Sequence, residues 1–253
     1  MMRLTVLGAS PACQNPDGAC SGYLLEQDGV ALLIDCGSGV LSRLQRYVAP
    51  EQVHAIIISH MHADHTLDLL PYHYYLAFSA QLGRAIRPPA LYLPPGGHER
   101  LLGISRMQDP SPTFFSDTFT VQEYDPELPV GFGSLDVAFV PVVHIPHTYG
   151  MRVQGSALFA YSADSGPCDA LFEIAHQSDL FLCECANLEG SDFPFHLTPR
   201  QAGMIAQVSA ARRLLLTHRW WAYGEEETVA QARQDYSGPV ELAREDLQIT
   251  LAP

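Results

Sequence analysis

The chain has 253 residues, 47% of them hydrophobic, enough to bury a large core as one α/β sandwich or two smaller domains. Its net charge is −14, and all 14 basic residues are arginine, with no lysine. Such a surface repels polyanions, which excludes an extended tRNA or DNA track built on clustered basic residues. No low-complexity run, charge block or Gly/Ser tract marks a linker, so a single domain over 1–253 is expected. No apolar segment approaches the length of a membrane span. Leu4-Thr5-Val6-Leu7 is too short for a secretory core and runs into a Gly/Ser/Pro loop, as a first strand would. Cytoplasm is therefore the expected compartment. Of the six cysteines, Cys36, Cys183 and Cys185 sit in apolar runs and read as buried free thiols.

In chain order, residues 30–35 read as a strand and 39–47 as an amphipathic helix with Leu41 and Leu44 inward. Ile56-Ile57-Ile58 is a short β-branched strand, followed at once by His60-Met61-His62-Ala63-Asp64-His65. Residues 66–82 then read as a helix, with Pro71 tolerable near its first turns and Tyr72, Tyr74, Tyr75 and Phe78 packing. His54, His73, His98 and His176 lie outside any motif and are expected at the surface or behind the site. The spacing of Cys183-Glu184-Cys185 puts both thiols on one strand face and Glu184 on the other. Residues 199–209 form a helix with Thr198 as N-cap and Pro199 at its first position. Arg212-Arg213 reads as an exposed helix end, and Trp220, Trp221 and Tyr223 as a rim that either stacks a base or anchors a loop.

Four of the six residues from His60 to His65 are donors of the types that bind zinc and neighbouring transition metals. Six consecutive residues cannot wrap one tetrahedral ion without strain. A strand-end loop can instead send His60 and His62 to one ion and Asp64 and His65 to another. Three later apolar runs end the same way, at His144, Asp164 and His218. Donors arriving four times from strand ends form a constellation, read as two per half of a two-sheet sandwich whose halves meet at the site. His147 competes with His144 for a ligand position; the strand end and the following Tyr149-Gly150 favour His144, leaving His147 to line the pocket.

These residues resemble the metallo-β-lactamase fold superfamily, whose signature is His-x-His-x-Asp-His, and within it the ribonuclease Z and phosphodiesterase branch. The resemblance runs from Leu4-Thr5-Val6-Leu7-Gly8 and Leu32-Leu33-Ile34-Asp35-Cys36-Gly37 through Tyr161-Ser162-Ala163-Asp164-Ser165 to His196-Leu197-Thr198 and Thr217-His218. It implies an α/β fold, a four-layer αββα sandwich. It implies that His60, His62 and His144 hold one ion, that Asp64, His65 and His218 hold a second, and that Asp164 bridges them. Zinc is the expected metal, with manganese and iron as alternatives. Asp64 would orient the nucleophile, and His196 would stabilise or protonate the phosphate under attack. Gly37-Ser38-Gly39 stands where ribonuclease Z has Gly-Glu-Gly, and no stretch has the composition of that enzyme's tRNA-gripping arm. The implied substrate is a small phosphoester, a nucleotide or an RNA end, cleaved by a hydroxide that bridges the metals. The alternative is a carboxyl-ester or thioester hydrolase, glyoxalase II-like or a lactonase. A homodimer is compatible with the resemblance.

Overall fold

The computed structural model describes residues 1–84 and 86–252. Among them, β1 (Met2–Gly8), β2 (Gly22–Gln27), β3 (Val30–Ile34), β4 (Ala55–Ile57), β5 (Ala90–Leu93), β6 (Thr120–Glu123) and β14 (Gln248–Leu251) form one sheet in the order β14-β1-β2-β3-β4-β5-β6. The second sheet contains β7 (Val130–Phe132), β8 (Leu135–Val142), β9 (Thr148–Gln154), β10 (Leu158–Tyr161), β11 (Leu180–Glu184), β12 (Leu214–Thr217) and β13 (Val240–Leu242), in the order β13-β12-β11-β10-β9-β8-β7. The last strand pairs with the first, so the two ends of the chain share a sheet.

Period-2 alternation sorts the strand residues into layers. Leu4, Val6, Leu32, Ile34 and Ile57 face Val137, Phe139, Val153, Leu182 and Leu215 in the core between the sheets. The alternate residues Leu33, Ile56 and Leu91 pack under α1 (Val40–Leu44), α3 (Leu69–Gln81) and α4 (Gly97–Ser105). Phe181, Cys183, Leu214 and Leu216 pack under α5 (Ala170–Ala175), α6 (Pro199–Val208) and α7 (Glu225–Ala232). The layers therefore run αββα, as the resemblance implies. Strands with apolar residues on both faces must be covered on both sides.

Several local expectations need correction. The helix expected over 66–82 is split into α2 (Ala63–Thr66) and α3, and Pro71 falls in the first turn of α3, where no intrahelical N–H is needed. The helix expected over 39–47 is only the five residues of α1. Tyr72 packs, but Tyr74 and Phe78 are 42% and 58% exposed, because α3 is apolar around its whole circumference and only one side meets the sheet. His73 is buried rather than at the surface, stacked on Phe114 at 3.9 Å and bonded to Thr118 Oγ1 at 2.8 Å. Arg212 and Arg213 follow α6 instead of ending it, and pair with Asp179 and Glu241. The strand-end donors do not divide two per half: the His60–His65 loop leaves the first sheet, and His144, Asp164 and His218 all leave the second.

Two hydrogen bonds cross between the sheets beneath that convergence. Tyr161 Oη donates to Asp35 at 2.9 Å, and the hydroxyls of Tyr23 and Thr217 meet at 2.7 Å. Strands β3, β4, β10, β11 and β12 run parallel to neighbours, so their C-terminal ends share one edge, where α/β sheets place sites.

Candidate metal centre

Each donor is delivered by a strand that stops and turns. Asp35, Ala163 and His218 have φ of 57°, 51° and 55°, left-handed values that non-glycine residues adopt at some cost. All three sit at strand ends facing the cleft, where that strain re-aims the chain. Gly37 permits a close approach, since a Cβ there would lie 1.9 Å from Asp64 O. The backbone is tied at the same place, with Cys36 N donating to His65 O at 2.8 Å.

Two donor sets result. In the first, His60 Nε2 and His144 Nε2 lie 3.1 and 3.3 Å from His62 Nδ1. Asp164 Oδ2 is 3.7 Å from His60 Nε2 and 3.9 Å from His144 Nε2. In the second, His65 Nε2 is 3.4 Å from Asp64 Oδ2 and 3.4 Å from Asp164 Oδ1. His218 Nε2 is 3.2 Å from Asp64 Oδ2 and 3.3 Å from Asp164 Oδ2. Zinc bonds of 2.0–2.2 Å in a tetrahedron separate ligands by about 3.3–3.6 Å, close to these spacings. Asp164 belongs to both sets. His147, in contrast, is exposed and belongs to neither.

The hydrogen bonds behind the donors select their tautomers. Asp35 is fully buried and accepts from Ser59 N at 2.7 Å, Ser59 Oγ at 2.9 Å and His65 Nδ1 at 2.8 Å, besides Tyr161 Oη. With its hydrogen committed to Asp35, Ser59 Oγ accepts from His60 Nδ1 at 3.1 Å. His144 Nδ1 donates to Phe195 O at 3.0 Å. When neutral, all three imidazoles leave Nε2 as a bare lone pair pointing inward.

Burial holds His60 and His62 below the usual histidine value and His144 down to about 4, so these rings stay neutral. Burial pushes Asp64 and Asp164 up, but the neighbouring His65 and His218 outweigh it and hold both carboxyls well below the usual range. Burial also works against a charge on His65, yet Asp164, Asp35 and Asp64 together raise it well above an ordinary histidine. Among the described residues, His65 Nε2 and Asp164 Oδ1 are buried without a hydrogen-bond partner. Converging lone pairs, ionised carboxylates and orphaned buried donor atoms are what divalent cations would satisfy, so these residues fit that group.

His196 stands beside both sets, its ring centroid 5.2 Å from that of His144 and 5.4 Å from that of His218. Glu184 Oε1 accepts from His196 Nδ1 at 2.9 Å, from Ser165 N at 3.1 Å and from Leu197 N at 3.2 Å. Burial disfavours the imidazolium, but the hydrogen bond to Glu184 and that carboxylate's charge prevail and raise the His196 pKa. The segment bearing His196 is held by its surroundings. Thr198 and Gln201 form a capping box at the start of α6, with Pro199 at its first position. Asn187 Nδ2 donates to Phe193 O and His196 O, both at 2.8 Å. A Cβ on Gly166 would lie 1.8 Å from Pro194 O, so the loop packs against bare backbone two residues past Asp164.

Asp35 and Glu184 had no assigned role in the sequence, although each obeys the rule that found the donors. Leu32-Leu33-Ile34 ends at Asp35, and Leu180-Phe181-Leu182-Cys183 ends at Glu184. Glu184 lies on the strand face opposite the thiols, as expected from the period of two, and that face lines the candidate site. The roles of Gly166 and Asn187 depend on tertiary contacts and carried no such signal.

Residues 2–199 match the family described as anti-Pycsar protein Apyc1. An uncharacterised protein of Mycobacterium tuberculosis H37Rv, Rv1339, is 37% identical over 94% of this chain and 88% of its own length. The probable metallo-hydrolase YhfI of Bacillus subtilis is 32% identical over 96% of this chain and 97% of its own. The crystal structure of that metallo-β-lactamase fold protein superposes with a TM-score of 0.89 at 28% identity, covering 98% of each chain. Ribonuclease Z of Thermobifida fusca is 27% identical over 98% of this chain and 94% of its own. That alignment spans 309 positions, more than the 253 residues here, so the ribonuclease carries segments without a counterpart in this chain. The chain has the metallo-β-lactamase fold, resembles its ribonuclease Z branch, and belongs to the anti-Pycsar protein Apyc1 family.

Proposed function

We propose that the protein is a hydrolase with a dinuclear metal centre, a phosphodiesterase acting on a small phosphodiester such as a cyclic or short linear nucleotide or an RNA end. The observation that carries this reading is the Glu184–His196 pair set against two donor sets that share Asp164. His60, His62 and His144 would hold one cation, Asp64, His65 and His218 the other, with Asp164 between them. When bound, two divalent cations lower the pKa of a shared water and neutralise the charge of a phosphate. The names metallo-hydrolase and ribonuclease Z among the relatives support hydrolysis as the reaction class.

The protein's own groups do the rest. The Asp64 carboxylate stays ionised and can accept a hydrogen bond from the attacking water, fixing its direction. Glu184 keeps Nδ1 of His196 protonated, so the other ring nitrogen can carry a proton toward the departing oxygen and give it up there. Cys20 does not compete as a nucleophile, because burial and nearby Asp64 push its thiol up to about 12. The acidic surface favours a substrate with a single phosphate group over a polyanion.

A leaving-group series tests the assignment. A p-nitrophenolate leaves without help, whereas an alkoxide needs a proton. His196→Ala is expected to slow alkyl phosphodiesters by about 10²–10⁴ and p-nitrophenyl diesters much less. An equal loss across the series removes His196 from the role of acid.

A further inference from the structure

His218, His196 and Phe193 form a row of rings leading away from the donor sets. The His218 and His196 planes are inclined by 31°, and those of His196 and Phe193 by 28° with centroids 5.7 Å apart. Phe195 closes the side of the row, edge-on to Phe193 at 5.7 Å. Phe193 is nevertheless 51% exposed, with one ring face against His196 and the rest open. Its carbonyl accepts from Asn187 and its N–H donates to Ser191 Oγ at 3.2 Å, so the ring is presented by a pinned backbone. The flanking charges, Glu189 and Asp192, are both acidic and exposed, which is unfavourable for a second phosphate. Arg219, next to the donor His218, directs its guanidinium to the carbonyls of Trp220 and Tyr223 and to Glu225. The organic part of a substrate is therefore offered a ring face rather than a cation.

We propose that Phe193 is a specificity-determining residue: its exposed ring stacks the nucleobase of a phosphodiester whose phosphate lies at the donor sets beside His196. The inference rests on the phosphodiesterase reading above, which includes nucleotides, and adds to it the residue that recognises the base. The geometry suits such an ester, because one sugar ring separates phosphate from base and one imidazole, His196, separates the donor sets from Phe193. Aromatic stacking tolerates every base, at about 1–3 kcal/mol per base. Trp221 is the competing ring. It is 64% exposed and held through its N–H to Asn15, but it makes no ring contact with the row of imidazoles among the described residues.

The test uses metal-loaded full-length protein and two matched pairs of diesters. One pair is a 3′,5′-cyclic nucleotide and the same cyclic sugar phosphate without a base. The other is a nucleoside 5′-(methyl phosphate) and its base-free counterpart. Turnover is followed by phosphorus NMR, and the quantity compared is kcat/KM with the base divided by kcat/KM without it. Any disturbance of His196 affects both members of a pair and cancels. The ratio is expected to fall at least about fivefold in Phe193→Ala and Phe193→Leu, mainly through KM, and to be retained in Phe193→Tyr and Trp221→Ala. A ratio unchanged in Phe193→Ala, with both esters still hydrolysed, overturns the stacking role and leaves the phosphodiesterase reading intact. Failure of the wild-type protein to hydrolyse any of the four esters overturns both.

Discussion

Asp35→Asn is the most informative single substitution, because it preserves volume and removes one charge. The carboxylate lies behind both donor sets, touching His65 directly and His60 through Ser59. Its Oδ2 accepts three donors, from Ser59 Oγ, His65 Nδ1 and Tyr161 Oη, and its Oδ1 accepts the Ser59 N–H, so either orientation of an amide sets its nitrogen against a donor. The two hydroxyls can rotate. With the nitrogen at the Oδ2 place the imidazole must move its proton to Nε2, which takes away the lone pair aimed into the second set; with the oxygen there, Ser59 N is left unpaired and an uncharged carbonyl holds the Nδ1 proton less firmly. Replacing a partner of this kind lowers metal affinity about 10- to 100-fold, or ~1.4–2.7 kcal/mol. The loss in folding stability of chelator-treated protein should be about 1–3 kcal/mol, the cost of one poorly satisfied buried polar group. Competition for zinc against a chromophoric chelator reads the affinity, and urea unfolding reads the stability. A folded Asp35→Asn protein that binds metal with wild-type affinity would refute the argument that Asp35 sets the tautomers.

Three further outcomes follow from the same geometry. Glu184→Gln removes the charge that raises the His196 pKa, so the basic limb of the pH–rate profile for an alkyl diester should move to lower pH; a limb that stays put would separate Glu184 from the acid. Gly166→Ala drives a methyl group into Pro194 O, and should cost about 1–3 kcal/mol in thermal or urea unfolding while lowering turnover through the displaced His196 loop. Chelator-treated protein should lose stability as pH falls from about 6.5 to 4, since unfolded histidines take up protons there that buried His60 and partly buried His62 and His144 refuse. For His144 alone, the drop from an ordinary histidine's value of about 6.5 to about 4 is worth ~3 kcal/mol. His65, whose pKa is raised, contributes fully throughout that window, and the depressed Asp64 and Asp164 begin to matter only below about 3.8, so neither reverses the sign. Stability that is flat from pH 6.5 to 4 would contradict the neutral state of these three rings.

The sequence was most legible where chemistry and strand periodicity coincide. A β-branched run that ends in histidine or aspartate specifies both a buried strand and a group delivered at its end, so the residues that converge here could be read directly, while their division into two sets rested on the family resemblance. The same rule reached Asp35 and Glu184, but carboxylates that support a site look no different in sequence from carboxylates that bind metal. Helix limits were less legible. The apolar pattern is continuous from Leu67 to Leu82, while the break at Leu67 and Asp68 comes from tertiary contacts, with Asp68 Oδ2 accepting from Leu41 N at 2.8 Å. The exposure of Tyr74 and Phe78 and the burial of His73 were also hidden, because composition gives no direction to a helix that is apolar on every side. The stack of His218, His196 and Phe193 joins segments 22 residues apart or more at one end, and only folding brings it together.

The most direct test of the account is phosphodiester turnover as a function of metal equivalents. Chelator-treated protein is titrated with zinc or manganese while hydrolysis of bis(p-nitrophenyl) phosphate and of S-lactoylglutathione is followed in parallel. Phosphodiester turnover is expected to need the second equivalent of metal and to be abolished in Asp164→Ala, the residue shared by both donor sets. Full activity with one equivalent, or turnover of the thioester alone, would contradict a dinuclear phosphodiesterase.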